Sequence, residues 1–190
     1  MLLKILAGIG VVILLLVIFI ATRPAEFSVS RSATMAVTPA AVFNQLNDFH
    51  KWDAWSPWAK LDPNCKNSFE GPASGVGAKF AWDGNSEVGA GNMTITESEP
   101  NERVRLRLEF IRPFAGVSDT LFTIKPEGDK TNVTWTMSGK NNFIGKAISC
   151  IMDCEKMIGP QFEKGLVSME AAAVAESKPS SETPSTTPST

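Results

Sequence analysis

The residues able to do chemistry are few and scattered. His50 is the only histidine, and it follows Phe49 in HKWDAWSPW, a segment of turns and short helical pieces. An imidazole with no nucleophile or metal partner at readable spacing is expected to serve packing or the surface. The three cysteines, Cys65, Cys150 and Cys154, are too few for a disulfide framework, and with a single histidine they make no zinc site. Cys150 and Cys154 stand one turn apart on the same expected helix and read as buried small apolar residues. Tyrosine is absent, which removes the phenol as a general acid. The sequence holds no Gly-rich phosphate loop and no serine elbow, so it calls for no cofactor and no metal.

Two charged residues break the alternation of apolar strands. Arg31 shares strand parity with Phe27, Val29, Ala33 and Met35, and Asp119 shares it with Leu121. Either residue is an inward polar group, or its strand shifts register at a bulge; the bulge carries more weight. Asp83 and Glu87 flank a turn and are expected to be solvated. The net charge of -2, with basic residues dispersed among acids, offers no field for nucleic acid.

The elements that would position these groups form one domain with extensions, since 190 residues at 43% hydrophobic content support a single core. Residues 5–21 carry no charge between Lys4 and Arg23 and are long enough to cross a bilayer. An uncleaved single-pass anchor is the leading reading, because FIATRPAE offers no clean cleavage site; a cleaved signal peptide and a buried core helix are the rivals. The basic residues on its two flanks do not set its orientation. The organisation is therefore residues 1–25 as anchor and linker, 26–176 as the folded domain, and 177–190 as a Ser/Thr/Pro-rich tail expected to be disordered.

Within the domain, EFSVSRSATM reads as a strand, and Thr38 followed by Pro39 caps a short helix. Trp52, Trp55 and Trp58 lie three residues apart on the next segment. They read first as a plug closing one end of the core, and second as an aromatic rim or gate over a ligand cavity. A meander of antiparallel strands follows. Its clearest member is RVRLRLEFI, with Val104, Leu106, Leu108 and Phe110 alternating against Arg103, Arg105, Arg107 and Glu109. Gly89 and Gly91 suggest a bulge or strong curvature, and EGDK at 127–130 is a hairpin turn. Residues 143–176 carry an apolar stripe at helical spacing from Ile144 through Ile158 and Phe162 to Ala173. A kink or a restart is expected at Gly159-Pro160.

Strand, short helices, meander and long final helix together resemble the helix-grip α+β fold of the SRPBCC (START/Bet v 1-like) superfamily. The segments VTPAAVFNQLNDFHKWDAWSPW, GPASGVGAKFAWDGN, GNMTITESEPNERVRLRLEF and GPQFEKGL resemble its polyketide cyclase/dehydrase and lipid-transport branch. The resemblance implies a curved sheet around the C-terminal helix and a hydrophobic cavity between them, able to take a lipid or another apolar small molecule. On the sheet side the expected lining is Trp55, Phe80, Trp82 and Met93, with Leu106, Leu108, Phe122 and Trp135. On the helix side it is Ile151, Cys154, Ile158 and Phe162.

Three functions follow from this reading. A membrane-anchored module binding a hydrophobic small molecule or lipid comes first, a cyclase/dehydrase-type enzyme second, and an interaction or stress-response factor without ligand third. Binding needs an apolar cavity, catalysis needs polar groups inside it, and interaction needs an exposed apolar patch.

Overall fold

The computed structural model describes residues 1–150 and 153–177. The expected cavity residue Ile151 and the tail from Lys178 onward lie outside them. The chain opens with helix α1 (Leu2–Thr22), followed by strand β1 (Glu26–Met35), helix α2 (Pro39–Leu46), a 3-10 turn at Phe49–Lys51 and helix α3 (Trp52–Trp55). Six strands follow: β2 (Lys66–Glu70), β3 (Lys79–Asp83), β4 (Ala90–Glu99), β5 (Arg103–Arg112), β6 (Gly116–Glu127) and β7 (Lys130–Lys140). Helices α4 (Phe143–Ser149) and α5 (Cys154–Ser177) close the fold.

All seven strands join one antiparallel sheet in the order β1-β7-β6-β5-β4-β3-β2. Short turns link the strands of the meander, and β1 returns to pair with β7, as the helix-grip reading requires. Curvature enters through β4, whose register against β5 shifts at Ala90/Gly91 and at Ile95/Glu97. Bulges of this kind bend a strand and increase its twist. Thr38 caps α2 as its sequence demands, accepting a hydrogen bond from the Ala41 amide at 3.3 Å.

The inner face of the sheet carries Val29, Ile95, Val104, Leu106, Phe122, Ile124, Val133 and Trp135, all buried, and α5 adds Phe162, Leu166, Met169 and Ala173. All of these residues belong to the domain, and α1 buries none of its own side chains. The core is thus complete without α1. At 21 residues, α1 is about 32 Å long, enough for a hydrocarbon layer of roughly 30 Å.

Three expectations are corrected. Helix α5 runs unbroken through Pro160, and the interruption falls earlier, between Ser149 and Cys154. Proline at 160 costs one backbone bond to a carbonyl that is still in the helix's first turns, where partners outside the helix are easiest to supply. The early break makes α4 a separate helix, so Ile144 of the expected buried stripe is exposed. Asp119 faces outward, because on β6 the inner parity belongs to Ser118, Thr120, Phe122 and Ile124, and Leu121 is only half-buried. Arg31 does point to the inner side, on a strand whose pairing with β7 contains no bulge.

The outer face of β4–β6 holds a ladder of ions. Arg103 Nε and Arg105 Nε lie 2.6 Å and 3.1 Å from the Glu97 carboxylate, and Arg105 also meets Asp119 at 2.5 Å. Partial burial pushes the Glu97 carboxyl up, but hydrogen bonds and charge from Arg105 and Arg103 outweigh it and leave the group below the ordinary range. A hydrogen bond from Arg107 likewise lowers Glu109. A carboxyl lowered by folding contributes stability above its unfolded value, about pH 4.3, and loses it as pH falls through the folded value. Thermal melts should therefore show stability falling below about pH 4, with Glu97→Gln flattening that dependence.

Candidate functional site

The aromatic residues form one connected chain of rings along the inner face. Trp135 stacks on Phe162 with centroids 4.0 Å apart and planes 10° apart, sealing β7 to α5. Gly165 makes this possible, since a Cβ there would come within 2.8 Å of the Trp135 ring. From Trp135 the contacts run to Phe122 at 4.8 Å and Trp55 at 5.7 Å, then from Trp55 to Trp52 at 4.6 Å. They continue through Phe49 to Phe80, Trp82 and Phe110, at 5.2, 6.0, 6.0 and 6.2 Å.

Burial divides this chain in two. Phe49, Trp52, Trp55, Phe122, Trp135 and Phe162 are buried and close-packed. Phe80, Trp82 and Phe110, together with Met93, are only half-buried. The division follows from the path of α5, whose backbone runs closest to β1, α2 and α3. The inner surface of β3–β5 therefore stays partly open.

That surface is a shelf of two cross-strand rows. Phe80, Met93 and Leu108 are register partners across β3, β4 and β5. In the next row Trp82 faces Gly91, which faces Phe110. A Cβ at Gly91 would sit 2.6 Å from the Trp82 ring, so the glycine is what lets the indole lie flat across β4. The Trp82 Nε1 donates to the Val88 carbonyl at 3.0 Å, fixing the ring. Cys154 and Ile158 pack on the same core, half-buried, at the start of α5.

The expected lining is therefore distributed over two environments. Trp55, Leu106, Phe122, Trp135 and Phe162 lie in the filled core, where the three-tryptophan segment acts as a plug. Phe80, Trp82 and Met93 lie at the open edge, with Leu108 between the two, while Cys154 and Ile158 are half-buried against the core at the start of α5. Phe110 was legible as an apolar strand position, and its place beside Trp82 depends on the β4 bulge.

Polar groups of the interior are mostly paired. Trp52 Nε1 donates to the Leu46 carbonyl at 3.2 Å and Trp55 Nε1 to the Gln45 carbonyl at 3.4 Å. The Trp135 indole N–H is buried with no partner among the described residues. An unpaired buried donor costs about 1–3 kcal/mol. Arg31 donates from Nε to Glu163 at 2.7 Å and from Nη1 to Glu155 at 2.5 Å, clamping α5 onto β1. Those hydrogen bonds raise its pKa further. Gly159 accommodates the guanidinium, which would collide with a Cβ there.

His50 stacks on Phe69 at 4.1 Å and holds Asp48 Oδ1 through Nδ1 at 2.8 Å. Its side chain is 54% exposed, which suits a surface role more than work in a water-excluded site. Among the described residues no cluster of His, Cys, Asp and Glu could hold a metal ion. Two open grooves border the sheet, one between Lys66, Lys79, Ala81 and Arg112 that reaches the Trp82-Gly91 edge of the shelf, the other among Arg107, Asp119 and Ser138. The shelf, with its contiguous rows of large apolar side chains, is the better candidate for an apolar ligand.

Cys65 and Cys150 differ enough to be told apart. Burial, then the charge of Asp62, pushes the Cys65 thiol up, whereas Cys150, expected to be buried on one helix with Cys154, is exposed at the end of α4 because α5 begins only at Cys154. Thiol titration with a chromogenic disulfide near neutral pH should modify Cys150 roughly tenfold faster than Cys65.

A seven-stranded antiparallel sheet gripping a long C-terminal helix over an apolar inner face is the helix-grip architecture of the SRPBCC superfamily. The chain belongs to the polyketide cyclase / dehydrase and lipid transport family, whose model matches residues 26–174. No curated protein matches it. Among solved structures it is similar to the Aha1 dimer from Colwellia psychrerythraea, at 16% identity and a TM-score of 0.57, covering 80% of this chain and 99% of that one. Ara h 8.0201 is similar at 11% identity and a TM-score of 0.54, covering 79% and 99%. The di-domain ARO/CYC StfQ from the steffimycin biosynthetic pathway is similar at 8% identity and a TM-score of 0.59, covering 80% of this chain and 52% of that one. At these identities the likeness is one of fold.

Proposed function

We propose that this protein is a membrane-tethered module that binds a hydrophobic small molecule or lipid on the inner shelf of its sheet. The observation that carries the reading is the half-open apolar surface of Phe80, Trp82, Met93 and Phe110, which α5 leaves uncovered. Covering such a surface with a ligand gains about 25 cal/mol for each Å² of apolar area removed from water. The family's link to lipid transport and the apolar α1 support the same reading. A tether holds the shelf where hydrophobic ligands partition, which raises their local concentration.

A reaction on the shelf would need a free acid or base facing it. Arg31 is held by two carboxylates and Asp119 is on the outer face, so binding has the stronger support. Native mass spectrometry of residues 24–190, purified from the native host, tests the proposal. A co-purifying apolar molecule is the expected result; a protein of bare mass that also fails to take up added fatty acid would overturn it.

A further inference from the structure

The two ends of the sheet differ sharply in polarity. At one end lie the β4–β5 and β6–β7 turns, which contain Asn101, Glu102, Gly128 and Asp129 and are flanked by Glu99, Arg103, Glu127 and Lys130. At the opposite end, where α1 leads into β1, the β5–β6 connection exposes large apolar side chains. Ile111 and Phe114 are each 59% exposed and Val117 is 47% exposed. Helix α4 adds Phe143 and Ile144 at 48% and 57%. It sits against the end of α1, where Lys146 Nζ donates to the Ala21 carbonyl at 3.0 Å.

Solvent-exposed apolar residues are ordinary when scattered, but five gathered at one end around a basic collar call for a partner. The collar consists of Arg23 and Lys146, flanked by Arg112 and Lys140, which pair with Asp83 and Glu26. Arg23 lies over the Phe19 ring at 4.4 Å, as a cation does at the boundary between an apolar helix and water. Distances fix what lies within reach. Only Arg23, Pro24 and Ala25 separate α1 from β1, a span of at most about 10 Å. Three strand spacings, roughly 14 Å, separate β1 from β5. The apolar tip is thus carried beside the point where α1 would leave a bilayer.

We propose that the β5–β6 connection and α4 rest in the headgroup layer of the same bilayer that α1 enters, seating the domain with its shelf towards the lipid. This rests on the membrane-tether reading and deepens it. The Trp82-Gly91-Phe110 row lies next to this end, with Asp83 and Arg112 closing β3 and β5 just beyond it. Seated this way, an apolar molecule passes from the leaflet to the shelf past Phe114 and Phe110 without crossing water. The apolar tip and the basic collar match the two attractions that hold interfacial segments, hydrophobic burial and charge against anionic lipid.

The test uses the full chain in vesicles of phosphatidylethanolamine and phosphatidylglycerol, with Cys65, Cys150 and Cys154 replaced by alanine. A single cysteine carrying an environment-sensitive fluorophore is placed in turn at Val12, Phe114 or Asp129. Expected are blue-shifted emission and quenching by nitroxide-labelled lipid at 12 and 114, with neither at 129. Lipid-like signals at 12 combined with water-like emission at 114 would overturn the seating and leave the tether intact. Blue-shifted emission at 114 without lipid quenching would mean a protein covers the tip, a second copy or another chain, and would also overturn it. A water-like signal at 12 would overturn tether and seating together.

Discussion

Replacing Phe162 with alanine should destabilise the domain by about 3–5 kcal/mol, the range for truncating a fully buried aromatic residue. Phe162 is 1% exposed and stacks on Trp135, which in turn carries Trp55, Trp58 and Phe122. Its loss leaves a void beside rigid aromatic rings, which relax into it only partly. For a domain of this size each kcal/mol moves the melting temperature by about 2–4 °C, so a fall of about 10 °C is expected by differential scanning calorimetry. Trp135→Phe is the informative companion. It keeps a ring in the stack and removes a buried donor that has no partner, so its cost should be well below that of Phe162→Ala. Equal losses from the two variants would show that the indole N–H is paired in the folded protein.

Met93→Asp should have the opposite profile, a large loss of ligand uptake with a modest loss of stability. Met93 is half-buried in the middle of the shelf, between its register partners Phe80 and Leu108. With no ligand present, water reaches the new carboxylate and folding is little disturbed. With an apolar chain lying across it, the carboxylate must be desolvated, which costs several kcal/mol, and each 1.4 kcal/mol is a factor of ten in affinity. Titration of residues 24–190 with a fluorescent fatty acid should show affinity weakened at least tenfold. The same substitution at Thr94, whose side chain is on the other face of β4, should leave uptake unchanged.

Much of this fold was legible in the residues because local signals agreed with one another. Alternation in RVRLRLEFI, the Thr38-Pro39 cap and the EGDK turn each correspond to an element in the structure. What escaped was set by tertiary contacts. Leu121 is apolar on an outward parity, so it misassigned the direction of Asp119, and only pairing with Arg105 resolves it. Arg31 looked like a sign of a bulge because its partners, Glu155 and Glu163, lie more than a hundred residues away on α5. Gly159-Pro160 drew attention as a break, whereas the chain interrupts its helix before Cys154 and uses Gly159 to admit the Arg31 clamp.

The candidate site was legible as a set of apolar positions, without the distinction between filled core and open shelf. Inward parity marks Phe122 and Trp82 equally. Only the path of α5, held near β1 by Arg31, buries the first and leaves the second half-open. Glycine at 91, legible as a place of curvature, does a second task in giving Trp82 a flat seat.

The most direct test of lipid binding on the shelf is photolabelling of the full chain in its membrane with a fatty acid bearing a diazirine along its acyl chain, followed by peptide mass spectrometry. Adducts concentrated at Phe80, Trp82, Met93 and Phe110, and competed away by unlabelled fatty acid, are the predicted result. Adducts confined to residues 5–21, or spread over outward-facing residues such as Lys79, Ala81 and Arg107 and insensitive to competitor, would contradict it.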